Sequence, residues 1–337
     1  MNDYTDNSDI KKYFPGIKTA DEIAPVEIVP THLPSLNDIV LGCGGIPRGR
    51  TIELYAPPSV GKTTLAINIV GDYQREGLIT NWDDREGTFP GPEYTDSMNL
   101  DRKMLNMMDT ASGDDALYQA MLTFALNIVD LYVIDSQAAI LPDTAATVGY
   151  DQANFSQYEN YAQAKMLTDF YKRLRSGYYI GPPGTMKKNG DYNKGDLIRS
   201  DKIYKIGGVL EEHLHKLQDK CTTLLMINHM KIKPGVTWGD ATSVSGGEAG
   251  KFDASIRLRM TYKKQSQKKD AFGSPDFKII SIKADKNKVA PPGRSAEFKM
   301  LRSGLIVELD GSEKEVEDIS GQEIDSNTVK GVKFKKK

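Results

Sequence analysis

The sequence predicts an α/β fold: a mostly parallel, twisted sheet flanked by helices and organised around a phosphate-binding loop. Three observations carry that expectation. Ala56-Pro57-Pro58-Ser59-Val60-Gly61-Lys62-Thr63-Thr64 stands between a strand-like run, 51–55, and a helical run, 65–70, the strand–loop–helix setting of a P-loop. Residues 131–134 and 222–228 are dominated by apolar runs without alternation, as in strands covered on both faces. Polar residues collect just past such runs, at Asp83-Asp84-Arg85-Glu86, Asp135-Ser136 and Asn228-His229, and ligands bind at the carboxyl edge of open α/β sheets.

The loop Pro57-Pro58-Ser59-Val60-Gly61 would turn the backbone N–H groups of its non-proline residues toward a nucleotide's phosphates, together with the helix start at Thr64. Lys62 would reach the β- and γ-phosphates, and the Thr63 hydroxyl would hold Mg2+. Asp135 matches the Walker B carboxylate, which orients Mg2+ through water. Ala56 stands where the motif carries its first Gly, which requires a negative φ there. A chance turn with a surface lysine is the rival reading. It fits poorly with Gly-Lys-Thr-Thr following a strand and opening a helix.

The 337 residues suffice for one large or two modest domains, and 39% hydrophobic with 27% charged residues describe a soluble globular chain. No apolar run reaches the ~18 residues of a membrane span, and the start shows no signal-peptide pattern. A cytoplasmic protein with no membrane partner is therefore expected. Cys43 and Cys221 are too few for a disulfide framework and read as small buried thiols; with only four His they argue against a zinc site. A net charge of −2 excludes a uniformly basic nucleic-acid binder. The charge is uneven: 308–325 is acidic, while 262–269 and the last residues are basic, and each basic run is ordinarily a solvated loop.

Residues 1–32 are polar and broken by Pro15, Pro25 and Pro30. They read as an arm whose apolar points, Tyr13-Phe14 and Ile23 to Ile28, either dock on a neighbouring subunit or belong to a loose terminus. Leu36 to Leu41 forms a helical turn, Gly77 caps the P-loop helix, and 78–82 is a second strand. A short strand lies within 100–108. Residues 114–128 form an amphipathic helix with Leu117, Met121, Phe124, Ala125 and Ile128 on one face. Tyr161 to Arg175 is helical and 177–203 a long loop or hairpin. From Lys165 to Lys205 ten Lys/Arg face four Asp, with tyrosines at 171, 178, 179, 192 and 204. That stretch is either a base-stacking, basic surface or a solvated insertion. A helix at 209–220, a strand at 222–228, a Gly/Ser/Thr-rich loop at 231–247 and a helix starting at 248–252 follow. Strands at 255–262, 277–284, 296–301 and 305–309 close the sheet.

Several blocks, in order, resemble the RecA family of recombinases: Gly44-Gly45-Ile46-Pro47-Arg48-Gly49-Arg50, the P-loop, Gln74-Arg75-Glu76-Gly77, Val133-Ile134-Asp135-Ser136, Ile227-Asn228-His229, Gly246-Gly247 with 251–258, and Lys286-Asn287-Lys288. The resemblance implies a RecA-like P-loop NTPase core over 33–309, an oligomerisation arm over 1–32, an insertion at about 150–205 and a charged tail, 310–337, in place of the folded C-terminal domain of bacterial members. From Asp135 to Asn228 the spacing is 228 − 135 = 93, longer than expected for the family, and the first DNA loop should start near Thr144. These departures suggest a divergent member, virus-encoded or otherwise, at work in the cytoplasm (the host's, if virus-encoded).

The resemblance also implies roles. Glu86 falls on the carboxylate that activates the attacking water, with Asp84 beside it. His229 falls on the γ-phosphate sensor, where RecA itself has Gln. Lys286 and Lys288 match lysines that reach a neighbour's ATP, so that ATP joins successive subunits head to tail in a helical filament. The loop from 231 to 247 matches the second DNA loop, offering Lys231, Lys233, Trp238, Ser245, Gly246 and Gly247 to single-stranded DNA, with Lys251 and Arg257 nearby. Tyr94 or Phe89 would stack on adenine. The implied activity is ATP hydrolysis stimulated by DNA, filament growth on single-stranded DNA, and strand exchange with homologous double-stranded DNA. Loading factors and a single-strand binding protein are further candidate partners. Two rivals stand beside it: a replicative helicase-type motor, and a recombination mediator or paralogue that loads a partner.

Overall fold

A computed structural model describes residues 11–14, 16–143, 155–176, 179–180, 197–198, 222–232, 242–246, 249–311 and 316–318. The chain enters through β1 (Ile28–Val29), antiparallel to β2 (Ile46–Pro47). There follow β3 (Thr51–Ala56), α1 (Lys62–Arg75), β4 (Thr80–Asp84), β5 (Leu105–Met108), α2 (Gly113–Leu126), β6 (Leu131–Asp135) and α3 (Phe155–Ser176). Next come the ribbon β7 (Tyr179–Ile180) and β8 (Leu197–Ile198), then β9 (Thr223–Ile232), β10 (Thr242–Val244) and α4 (Ala249–Asp253). The strands β11 (Ile256–Ser266), β12 (Phe277–Asn287), β13 (Ser295–Leu301), β14 (Ile306–Glu308) and β15 (Val316–Asp318) complete the order.

The main sheet runs β14-β13-β12-β11-β3-β9-β6-β4-β5. It is parallel from β11 to β5 and antiparallel from β11 to β14. The predicted α/β class is thus the observed one. The unalternated apolar runs explain the layering. Along β6 and β9, Val133, Leu225 and Ile227 pack with Leu65, Ile69 and Tyr73 of α1. Their neighbours Tyr132, Ile134, Leu224 and Met226 pack on the other face with Phe124 of α2 and Leu167 and Phe170 of α3. Period-2 side chains that find a core on both faces leave no polar position to alternate.

Several expectations change. The arm ends before 32, because Ile28–Val29 pairs within its own chain and Val29 and Leu33 enter the core. Tyr13, Phe14 and Ile23 remain exposed. Ile128 lies beyond the end of α2 and is exposed, whereas Leu117, Met121 and Phe124 are buried as expected. The supposed insertion begins with a core helix, α3. Its Tyr171 is buried with its hydroxyl donating to Gln137 Oε1 at 3.0 Å, so it offers no face to a base. The basic run 262–269 is no simple loop: its first half is the end of β11, which pairs with both β12 and β15. Cys43 is a free, half-buried thiol. Cys221, the start of the first DNA loop, most of 177–205 and the helix expected at 209–220 lie outside the described residues.

Candidate nucleotide site

Four parallel strands deliver the site at their carboxyl ends. The register sets Ala56 of β3 beside His229 of β9, and Asp84 of β4 beside Asp135 of β6. Ala56 stays within β3 and outside the positive-φ residues, so its missing glycine hydrogen matters little. The positive φ values fall instead at Ser59 (60°) and at Gly61 (104°), which caps α1. Gly61 is needed twice, since a Cβ there would also sit 2.7 Å from Met300 Sδ.

Lys62 is buried at 6% exposure and points its Nζ back at the carbonyls of Ala56 (3.4 Å) and Pro57 (3.2 Å). Burial lowers its pKa, against the pull of Glu86 and Asp135. The Thr63 hydroxyl donates to Asp135 Oδ2 at 2.8 Å. Asp135 is pushed up to about 6, by burial first and then by the carboxylates of Glu86 and Asp84, while Thr63 and Lys62 oppose the rise. A crowded, desolvated carboxylate beside a hydroxyl fits a divalent cation, which relieves the crowding. Among the described residues no three His, Cys, Asp or Glu side chains form a metal cage. Mg2+ is ordinarily held by one or two side chains together with phosphate oxygens and water, and Thr63 and Asp135 fit that pattern.

Glu86 accepts a 2.6 Å hydrogen bond from His229 Nε2. Burial pushes the Glu86 carboxyl up, but contacts with the Ser136 hydroxyl and His229, and the charges of His229 and Lys62, bring it below the ordinary value. It is therefore a carboxylate, the form a base needs. Asp84 serves the turn: its Oδ2 accepts from Phe89 N at 2.7 Å. Tyr94 lies beside α1, its hydroxyl 3.5 Å from Thr64 Oγ1. Phe89 is engaged elsewhere, edge-on to Trp82 at 5.1 Å with the Arg102 guanidinium over its ring.

Two residues of the expected DNA loop, and one placed beside it, are enclosed within the chain. Ser245 and Gly246 are buried. The Ser245 carbonyl accepts from Gln137 Nε2 (2.9 Å) and Asn228 Nδ2 (3.0 Å), and a Cβ at Gly246 would strike Leu167 and Gln137. They anchor the base of the β9–β10 hairpin inside the chain. Arg257 is also buried, in an ion pair with Glu53 and with its guanidinium 4.4 Å from the Tyr55 ring centre. Lys251 is exposed on α4. Lys231 lies on β9, opposite Ser243, while Lys233, Trp238 and Gly247 fall outside the described residues. Lys286 donates to the carbonyls of Lys251 (2.9 Å) and Phe252 (2.7 Å), and Lys288 is exposed. Lys286 sits across β11 from Glu53, three register positions before Ala56 and away from its own chain's P-loop.

Sequence reasoning missed the fully buried Glu53, held by Arg257 and by Asn228 Nδ2 at 2.8 Å. A Glu inside an apolar strand run opposite a later Arg was the available signal. It also missed Ser136 beside Glu86 and the anchor of Arg85 described below.

Fold and site together define a P-loop nucleotide-binding core of the α/β class. A family model described as the RecA N-terminal domain matches residues 17–177 and 195–306, passing over 178–194. The chain is 31% identical over 313 residues to Protein RecA of Clavibacter michiganensis subsp. michiganensis, covering 90% of this chain and 71% of that one. It is 32% identical over 295 residues to Protein RecA of Chloroflexus aurantiacus, covering 84% and 69%. The crystal structure of the RadB recombinase shares the fold at a TM-score of 0.50 and 15% identity, over 84% of this chain and all of that one. The chain belongs to the RecA family.

Proposed function

We propose that this protein is a DNA-dependent ATPase that polymerises on single-stranded DNA with ATP and Mg2+ and promotes its pairing and strand exchange with homologous duplex. The observation that carries the reading is the Glu86–His229 contact at 2.6 Å, made beside Lys62 and the Thr63–Asp135 pair. Lys62 would neutralise the β- and γ-phosphates. Glu86 would take the proton of the attacking water, and His229 would sense the γ-phosphate and release or hold Glu86 accordingly. Mg2+, bound by Thr63 and Asp135, would offset charge on the phosphate oxygens.

The same contact supports a link to DNA. His229 lies on β9, and β9 and β10 pair antiparallel from Met230–Val244 outward, so the loop carrying Lys233 and Trp238 begins just beyond it. The base of the hairpin that bears the loop is bonded to His229 and Asn228 through Ser245. The exposed Tyr13, Phe14 and Ile23 suit an arm that docks on a neighbouring subunit, and Lys286 and Lys288 would then face that neighbour's ATP.

The test is ATP hydrolysis with and without single-stranded DNA, wild type against Glu86→Gln, with negative-stain imaging of the same samples. DNA-stimulated turnover lost in the variant, with filaments retained on ATP, is the expected result. Rings would favour a helicase-type motor, and turnover indifferent to DNA a loading factor.

A further inference from the structure

We propose that Arg85 is a positioning residue for ATP hydrolysis: its guanidinium, tied to Thr110, holds the turn that presents Glu86. The inference rests on Glu86 being the base.

That turn has few internal bonds of its own. Arg85 N (2.6 Å) and Glu86 N (3.2 Å) both donate to the single carbonyl of Asp135, fixing one side of it to β6. Asp84 Oδ2 closes the far end on Phe89 N at 2.7 Å, and Gly87 between them takes a φ of 66°. Neither bond stops the peptide from pivoting about the Asp135 carbonyl, and a pivot would swing the Glu86 side chain. The Arg85 side chain supplies the third point. Its Nη1 donates to the Thr110 carbonyl (2.7 Å) and to Thr110 Oγ1 (2.6 Å). The Thr110 hydroxyl in turn donates a hydrogen bond to Asp83 Oδ1 at 2.9 Å, and Asp83 is 1% exposed on β4.

Thr110 is itself held. It precedes α2, whose N-terminus closes back on this loop: Asp115 Oδ2 accepts from Ala111 N at 2.9 Å, and Ser112 Oγ accepts from Asp115 N at 3.2 Å. The start of α2 thus fixes Thr110, Thr110 fixes Arg85, and Arg85 fixes the peptide that carries Glu86. Two facts argue that the chain is more than packing. Arg85 Nε and Asp83 Oδ2 are buried without partners among the described residues, so the cluster is not optimised for stability. Arg85 also sits one residue before Glu86, where a side chain cannot reach the γ-phosphate side if it is bonded to Thr110. Its effect on the reaction is geometric. Misplacing a reacting group by about 1 Å can cost about 100-fold in rate.

The experiment compares Arg85→Ala, Arg85→Lys, Thr110→Val, Thr110→Ser and Glu86→Gln by ATP turnover on saturating single-stranded DNA, with melting curves. Arg85→Ala should lower kcat about 10- to 100-fold with KM for ATP within about twofold. Arg85→Lys and Thr110→Ser should recover part of the loss, and Arg85→Ala with Thr110→Val together should be no slower than Arg85→Ala alone. Wild-type kcat in Arg85→Ala, with Glu86→Gln inactive, overturns the proposal. A loss seen in KM and not in kcat overturns it too. Turnover surviving in Glu86→Gln removes the base reading beneath it. Should Arg85→Ala lose its melting transition, Thr110→Val against Thr110→Ser decides: equal kcat in the two overturns the proposal.

Discussion

The two halves of the sheet solve different problems with similar strands. In the parallel half every residue of β3 and β6 is buried, and the candidate site gathers at the ends of three strands, with the P-loop after Ala56, Asp84 and Asp135, and at His229 within β9. In the antiparallel wing the burial of β11 and β12 alternates in part, and their outer positions carry ion pairs such as Arg259–Asp285 and Lys283–Asp285. Covering both faces immobilises strand ends, which suits groups that must meet within hydrogen-bond distance. A wing with one wet face tolerates charge along its length, which suits contacts to another molecule. Chemistry should therefore fail with single changes in the first half, and in the second half only where a side chain reaches outward.

The largest expected effect is at Lys62. Lys62→Ala should reduce ATP turnover by about 100-fold or more and abolish retention of a fluorescent ATP analogue. Retained turnover would break the comparison at its strongest point. Next is Lys286→Ala in the wing. We expect DNA-stimulated turnover to drop on the order of tenfold or more while the analogue still binds. Unchanged turnover, at an unchanged melting temperature, would reduce the wing to a structural role and leave Lys286 as the cap of α4.

Stability sharpens the contrast. Ile134→Ala, in the doubly covered half, should cost about 3 kcal/mol in urea unfolding. Phe272→Ser, at the tip of the β11–β12 hairpin and 93% exposed, should stay within about 0.5 kcal/mol. Equal losses would mean that the hairpin tip is packed in solution.

The smallest effect concerns the point where the halves are stapled together. His32 Nδ1 bonds to the Asp72 carboxylate of α1 (2.8 Å), and its Nε2 to the Ile306 carbonyl of β14 (2.8 Å). Burial works against the imidazolium, yet the Asp72 contact and charge and the Ile306 carbonyl outweigh it, so the His32 pKa is raised. The folded state then holds its proton to higher pH than the unfolded state. The contribution is fully present below the unfolded value of about 6.5 and is lost as pH rises through the raised folded value. Between pH 6 and 8.5 the melting temperature should fall by about 2 °C more in wild type than in His32→Gln. Parallel curves for the two proteins would show that His32 is not the group responsible.

Much of this was legible along the chain. The P-loop, the Walker B strand, Asn228-His229 and the strands that carry them follow from local pattern, because a buried strand and a phosphate loop each need particular residues in a row. Tyr171 shows where such reading stops. A tyrosine in a basic stretch looks the same whether it faces a base or Gln137. Ser245 and Gly246 show it again, since a Gly/Ser-rich loop reads as exposed until Leu167 and Gln137 are seen to enclose its root.

The sequence alone determined the fold class, the candidate phosphate loop and the order of the family's blocks, since these depend on backbone propensity, apolar period and the chemistry of adjacent side chains. Only the tertiary structure decided that Glu86 meets His229 across 143 positions of chain, that Glu53 and Arg257 pair out of solvent, and that Arg85 is anchored on Thr110. Those contacts join side chains whose separation along the chain carries no information about their distance. They are set by strand register and by which face each helix covers.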